Sequence, residues 1–189
     1  MKVALLLASL LALPGIASAS PLTYTVNNAF PTFSVSGTIT TDGNLGALSS
    51  SDITAYSLTL SNATHTDTLT AANSSESISG SGVTATASGL FYNYVSGESH
   101  STYDYLGFFG NDFTDLCFQS SGCFTFDGTA YESIFFPFGG GNPVQLQSGN
   151  VEIGSIGSTA ATPEPESFVL LGTGLLGLMG IARRRFTTR

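Results

Sequence analysis

Two cysteines are the residues of this chain whose type and spacing predict the most definite chemistry. Cys117 and Cys123 are its only cysteines. Residues 120–122 favour a turn, and residues 124–126 resume the alternation of a strand. A hairpin here would bring the two Cα atoms within the roughly 4.4–6.8 Å that a disulfide requires. Because the termini described below mark an exported chain, we predict a disulfide between Cys117 and Cys123.

Both histidines have a carboxylate nearby in the sequence, as parts of a catalytic or metal site would. His65 and Asp67 fall on one face if their segment is a strand, because strand side chains alternate. His100 and Asp104 form the second candidate pair. The Gly-x-Ser-x-Gly motif of one large hydrolase class is absent from the sequence, and no serine stands out among so many. We favour exposed polar pairs and expect no catalytic residue.

A cluster of acidic residues offers oxygen atoms of the kind that calcium binds. It comprises Glu98, Asp104, Asn111, Asp112 and Asp115. The spacing does not match the calcium loop of an EF-hand. Solvated loop carboxylates are the alternative, and we favour them over a metal site.

A glycine pattern near the C-terminus formally matches a dinucleotide-binding fingerprint. Residues 172–177 read Gly-Thr-Gly-Leu-Leu-Gly. That fingerprint requires a strand before it, a helix after it and an acidic residue about 20 positions on. The chain ends before such a residue, so we expect no cofactor.

The charges are distributed unevenly along the chain. Residues 20–162 contain eleven carboxylates and no Lys or Arg. The five basic residues lie near the two ends: Lys2, Arg183, Arg184, Arg185 and Arg189. Nucleic-acid binding depends on Lys and Arg to neutralise phosphates, so we exclude it as a function of the central region. Phosphate-transfer chemistry also usually needs such a cation.

The central region alternates between apolar and hydroxylated residues, as half-buried antiparallel strands do. The pattern is clearest in residues 33–40, 53–60 and 83–87. Turn-forming clusters separate the runs at 42–44, 73–75, 79–82 and 139–141. We predict an all-β fold: an antiparallel β-sandwich or jelly-roll-like domain.

Residues 20–147 form the predicted β-rich extracellular domain. Residues 91–138 hold most of its aromatic side chains, so we expect this half to supply most of the core. Residues 148–162 are small and polar, and predict a last strand over 151–156 followed by a linker.

The N-terminus has the order of a secretory signal peptide. Lys2 precedes an apolar run over residues 3–13, and Pro14-Gly15 ends the run. Ala17 and Ala19 then supply the small side chains that signal peptidase requires. We therefore predict that residues 1–19 are removed, and that the mature chain begins at Ser20.

The C-terminal region, residues 163–189, contains a short apolar span between two distinct motifs. Pro163-Glu164-Pro165 precedes it, residues 168–182 carry no charge, and Arg183-Arg184-Arg185 follows. As a helix this span would be about 22 Å long, against about 30 Å for a bilayer core. We predict a weak transmembrane helix whose three arginines stop transfer and remain cytoplasmic.

These three elements, in this order at the chain end, resemble the PEP-CTERM sorting signal. The segment from Thr162 to Gly177 is similar to the usual form of that signal. The resemblance implies recognition and processing by exosortase, a membrane enzyme, mostly in Gram-negative bacteria that make exopolysaccharide. It also implies a brief stay in the inner membrane, with the main domain outside, before release to the cell surface or medium.

The sequence thus favours a non-enzymatic surface or extracellular-matrix protein associated with exopolysaccharide or biofilm. The alternative is a carbohydrate-binding module for the host's own exopolysaccharide. Four tyrosines could stack on sugars in that case: Tyr92, Tyr94, Tyr103 and Tyr105. A secreted hydrolase is a third and less favoured hypothesis.

Overall fold

The computed structural model describes residues 19–95, 103–121, 123, 129–137 and 143–157. In this part of the chain, thirteen strands form two antiparallel sheets, and the only helical segment is a single 3-10 turn at Ser50–Asp52. The strands are β1 Leu22–Ala29, β2 Phe33–Thr41, β3 Gly46–Ala47, β4 Ile53–Asn62, β5 Thr66–Thr70, β6 Ser74–Ser79, β7 Val83–Ala85, β8 Gly89–Tyr94, β9 Asp104–Gly110, β10 Asp115–Ser121, β11 Tyr131–Phe135, β12 Val144–Leu146 and β13 Gly149–Ser155. The predicted all-β, two-sheet antiparallel architecture is confirmed.

The larger sheet has eight strands in the order β3-β7-β8-β13-β1-β2-β4-β5. Its strands alternate as the sequence predicts: in β2, Phe33, Val35 and Ile39 are buried, whereas the serine and threonine residues between them are less buried. The pattern has period two because successive side chains point to opposite faces of a strand. The apolar face of this sheet therefore lines the core, and its hydroxylated face is directed outward.

The smaller sheet has five strands in the order β12-β11-β10-β9-β6. Strand β10 is buried over Leu116–Ser120, and in β11 four of the five residues are buried. Burial on both faces removes the clean alternation that makes a strand recognisable from sequence.

The core lies between the two sheets and contains aliphatic and aromatic side chains. Tyr56 of β4 meets Phe108 of β9 edge to face, with ring centroids 4.8 Å apart. Among the described residues, more than half of the buried core cluster precedes Phe91. The expectation that residues 91–138 supply most of the core is therefore wrong for this cluster, because aliphatic residues of β1, β2 and β4 fill the larger sheet's inner face.

The last strand, β13, is inserted in the middle of the larger sheet, between β8 and β1. It pairs along its length with β8, but its one register pair with β1 is Thr25 with Ser155. The sandwich belongs to a compact unit that ends at Ile156, and Gly157–Arg189 form a separate unit. Of that second unit only Gly157 is among the described residues.

Candidate functional site

The predicted disulfide between Cys117 and Cys123 is present, with a Cα–Cα distance of 6.4 Å. Cys123 is not on the strand opposite Cys117, where β11 places Ser133 instead. The chain turns back after β10, and the Cys123 backbone N–H donates to Oε1 of Gln119 at 2.9 Å. Gln119 is fully buried and also donates from Nε2 to the carbonyl of Thr129. The bridge and the Gln119 hydrogen bond therefore hold Cys123 beside β10.

The candidate pair His65 and Asp67 lies at the start of β5. The His65 ring stacks on Phe136, with centroids 5.6 Å apart, and its Nδ1 is hydrogen-bonded to Oγ1 of Thr64 at 2.8 Å. Asp67 instead lies close to the side chain of Asp112. This contact is a secondary cause of the lowered pKa of Asp112. The other candidate histidine, His100, lies outside the described residues.

The acidic residues proposed as calcium ligands are engaged with the protein backbone. Asp112 accepts from the backbone N–H of Thr114 at 3.0 Å, which is the main reason that its pKa is lowered. Burial raises the pKa of Asp115, although its carboxylate accepts from Gly110 N–H. In the part of the chain with described positions, no group of three His, Cys, Asp or Glu side chains could hold a metal ion. Glu98 lies outside that part.

The four tyrosines proposed to stack on sugars divide into two pairs. Tyr92 and Tyr94 are buried in the core, whereas Tyr103 is 51% exposed and Tyr105 is partly buried. Tyr105 contacts Phe109 of the same strand edge to face at 6.3 Å, so these rings lie along the outer side of β9. Only the second pair is placed where a sugar could reach it.

The Tyr92 hydroxyl connects the two sheets. It donates to the backbone carbonyl of Asp104 at 2.7 Å and accepts from the backbone N–H of Ser120 at 3.0 Å. Desolvation by burial raises the pKa of Tyr92 well above its usual range. A buried tyrosine needs such partners, because an unpaired hydroxyl in the core costs about 1–3 kcal/mol. The residue thus has a structural role in the interior.

Glu132 is a buried carboxyl that sequence reasoning did not single out. It is 1% exposed, and Nδ2 of Asn28 donates to both of its oxygens at 3.2 Å across the interior. Burial raises its pKa to about 8 despite these hydrogen bonds. Burial also raises the pKa of the nearby Tyr94, whose hydroxyl has no hydrogen-bond partner among the described residues. The available sequence signal was an acidic residue inside the aromatic run at 131–136.

A groove lies at the end of the larger sheet where two turns come together. These are the turns joining β1 to β2 and β4 to β5, and the register pair Phe33–Asn62 aligns them. The groove is an open depression of about 480 Å³, and its lining includes Phe30 and Phe33, whose ring centroids are 4.7 Å apart. Ser34, Ser61 and Asn62 supply polar groups.

Most residues of the predicted terminal signals lie outside the described residues. These are Ala17, the motif Pro163-Glu164-Pro165, and Arg183-Arg184-Arg185. Ala19 is described and exposed, three positions before the first strand begins at Leu22. Among the residues with described positions, no helix is long and apolar enough to cross a bilayer, and the predicted span 168–182 lies outside them.

Comparison with known families decides the nature of the C-terminus. Residues 161–185 match the PEP-CTERM protein-sorting motif. The chain carries a PEP-CTERM sorting signal. This match includes Pro163, Glu164 and Pro165 as well as the three arginines, so the resemblance drawn from the sequence is confirmed. The PEP-CTERM motif supports an exported protein that passes through the membrane and is processed there by exosortase. No curated protein and no solved structure matches the chain.

Proposed function

We propose that this protein is a non-enzymatic component of the cell surface or extracellular matrix, associated with the exopolysaccharide or biofilm of its host. The observation that carries the proposal is the PEP-CTERM signal on a chain whose described part is an all-β sandwich. A non-enzymatic role is supported by the position of the His65 ring, which stacks on Phe136 instead of pairing with Asp67.

The charge pattern also supports a role outside the cell. Eleven carboxylates without any Lys or Arg in residues 20–162 keep neighbouring copies apart, which favours a soluble, dispersed state after release. The chain also carries a disulfide between Cys117 and Cys123, and such bridges persist in oxidising compartments.

Sorting is tested by changing Pro163-Glu164-Pro165 to three alanines. Prolines disfavour helix and keep this segment extended and accessible to a membrane enzyme. We expect the variant to accumulate as full-length protein in the inner membrane, whereas the mature wild-type protein lacks residues 168–189. Peptide mapping of surface material measures this. Recovery of the Arg183-containing peptide from most wild-type molecules would leave a plain membrane anchor.

Matrix association is tested by fractionating the host's extracellular material. We expect the protein to co-purify with exopolysaccharide and to enter the soluble fraction when that polymer is removed or its synthesis is deleted. A protein whose distribution is the same with and without the polymer would contradict the matrix role.

The second candidate function is that of a carbohydrate-binding module. The observation that favours it is the row of rings on the outer side of β9, where Tyr103 is exposed and Tyr105 packs against Phe109. The placement of Tyr92 and Tyr94 in the core counts against a sugar site made of all four tyrosines. A polysaccharide pull-down of the wild-type chain distinguishes a binding module from a matrix protein that is retained by other means.

A further inference from the structure

Within the described part of the chain, the smaller sheet ends at the short strand β12, Val144–Leu146. The central residue of β12, Gln145, lies opposite Glu132 of β11. Two positions further on, the backbone N–H of Gln147 donates to the carbonyl of Ala130 at 3.1 Å. Hydrogen-bonded and non-hydrogen-bonded pairs alternate along an antiparallel ladder. The main-chain N–H and C=O groups of the first and last residues of β12 therefore point away from β11.

The same two residues have exposed aliphatic side chains. Val144 is 43% exposed and Leu146 is 67% exposed, and they share one face of the strand because they are two positions apart. In the part of the chain that is described, the carbonyl of Leu146 accepts from Nε2 of Gln145 at 3.2 Å, and the other outward main-chain groups of β12 have no partner. The edge thus combines unpaired main-chain groups with apolar side chains.

The edge strand β5 of the larger sheet is protected in a way that β12 is not. The outward main-chain groups of β5 belong to Thr68 and Thr70. Thr68 N–H donates to Oδ1 of Asp67 at 2.7 Å, and Nδ2 of Asn73 donates to the Thr68 carbonyl at 2.9 Å. Thr70 N–H donates to Oδ1 of Asn73 at 2.7 Å, and Oγ of Ser74 donates to the Thr70 carbonyl at 2.6 Å. Side chains occupy these groups and prevent another strand from pairing there.

The segment that contains β12 carries no charge. Residues 133–151 have no acidic or basic side chain, although residues 20–162 contain eleven carboxylates. Repulsion between carboxylates opposes contact between copies of this protein over its acidic surface. Along β12 neither copy brings a charge to the contact. The uncharged edge is therefore a place where two copies can meet without local repulsion.

The pattern of β12 is also complementary to itself. When two copies of the strand lie antiparallel about Gln145, Val144 of each copy is opposite Leu146 of the other. Each of these two pairs joins outward-pointing groups, so each can form two main-chain hydrogen bonds. Each pair also brings two aliphatic side chains together on one face. The arrangement has a two-fold axis, and the same patch of each copy supplies both halves of the contact.

We propose that β12 is a docking edge for β12 of a second copy of this chain, so that the two smaller sheets join into one continuous antiparallel sheet. The paired segment is short, so the interface belongs to the weak and transient class, and dimers form where the local concentration is high. The inference goes beyond the proposed matrix role and does not depend on it, because it concerns self-association and not attachment to a polymer.

The first test measures the dimer fraction of the full chain, purified in mild detergent, by sedimentation velocity at increasing protein concentration. Leu146→Glu places a carboxylate on each side of the two-fold axis, in a region without Lys or Arg. Leu45→Glu is the matched control, because Leu45 is also exposed, at 58%, and lies outside β12. The control retains any association through the C-terminal region. Thermal melting checks that both variants are folded.

We expect the wild type to dimerise more tightly as the salt concentration rises from about 0.01 M to about 1 M, because the Debye length falls from about 30 Å to about 3 Å. Leu146→Glu should raise the Kd about tenfold or more, whereas Leu45→Glu should leave it within about twofold. A wild type that remains monomeric under all these conditions would overturn the proposal. Equal effects of the two variants would overturn it as well.

The second test checks the register of the pairing. Gln145 would lie opposite Gln145 of the second copy in a non-hydrogen-bonded pair, with Cα atoms about 4.5 Å apart, a distance that a disulfide can bridge. Gln145→Cys should therefore give a disulfide-linked dimer on mild oxidation. Ser148→Cys is the control, because this exposed position lies off the two-fold axis and should remain monomeric. Peptide mapping identifies the linked cysteines. Equal cross-linking at the two positions, or none at position 145, would contradict the proposed pairing.

Discussion

The two sheets of the sandwich differ in where the polar side chains of their outer faces lie. On the larger sheet, hydroxyls of neighbouring strands form pairs at the surface, such as Thr23 with Thr40 at 2.9 Å and Ser61 with Thr66 at 2.8 Å. On the smaller sheet, Gln119 and Ser133 are fully buried. Similar polar groups are thus placed in water on one sheet and excluded from water on the other.

This difference predicts which polar groups contribute most to the free energy of unfolding. An exposed hydroxyl exchanges a protein partner for water at little cost, whereas a buried group without its partner costs about 1–3 kcal/mol. We therefore expect the smaller sheet to respond to loss of polar groups, and the larger sheet to tolerate it. Four measurements test this comparison.

The largest effect is expected from Glu132, the buried carboxyl of the smaller sheet. Its pKa rises from an ordinary 4.5 to about 8 on folding, so between these values the folded protein holds a proton that the unfolded chain has released. The stabilising contribution is complete below about pH 4.5 and is lost as the pH rises through about 8. We expect the free energy of unfolding to fall by a few kcal/mol between pH 5 and pH 9.

Urea unfolding at constant ionic strength measures this effect, with Glu132→Gln as the control. The amide keeps the shape of the carboxyl and cannot ionise, so the variant should show a flatter pH profile and exceed the wild type at pH 9. The lowered pKa values of Asp52 and Asp112 act below about pH 4 and do not disturb this window. Parallel profiles for the two proteins would show that Glu132 is not the group responsible.

The disulfide should have the next largest effect. Replacing Cys117 and Cys123 together by serine releases a short loop on the smaller sheet, and we expect a loss of about 2–3 kcal/mol. Urea unfolding with and without reductant measures it. Reductant should destabilise the wild type and leave the double variant unchanged. Alkylation of both cysteines in unreduced protein, seen by intact mass, would show that the bridge does not form.

Gln119 tests the buried amide directly. Gln119→Leu keeps much of the volume but leaves the N–H of Cys123 and the carbonyl of Thr129 without this partner. We expect a loss of about 1–3 kcal/mol in the free energy of unfolding. Gln145→Leu, at a partly buried position on the edge strand β12, is the control and should change stability less. Equal effects at the two positions would remove the distinction between buried and edge amides.

The smallest effect is expected on the larger sheet. Thr23→Val removes the hydroxyl pair with Thr40 and keeps the β-branched shape, so stability should change by no more than about 0.5 kcal/mol. The same unfolding measurement applies. A loss as large as that of Gln119→Leu would contradict the proposed difference between the sheets.

Features that depend on local order could be predicted from the amino-acid sequence alone. The strands predicted at 33–40 and 53–60 are present as Phe33–Thr41 and Ile53–Asn62, because alternation within a strand is visible without knowledge of its partner. The disulfide was also predictable, since five intervening residues limit how far two cysteines can separate. The sorting motif at 161–185 is recognised as a linear signal and needs no fold to be read.

Which segments of the chain meet depends on the packing of the whole fold. It buried Tyr92 and Tyr94 while leaving Tyr103 exposed, and it brought Asn28 to Glu132 across the core. The groove joins turns that follow β1 and β4, which become neighbours only through the pairing of β2 with β4. A sandwich is held by contacts between residues distant in sequence, so its strand order and its buried polar partners follow from packing, which local composition does not encode.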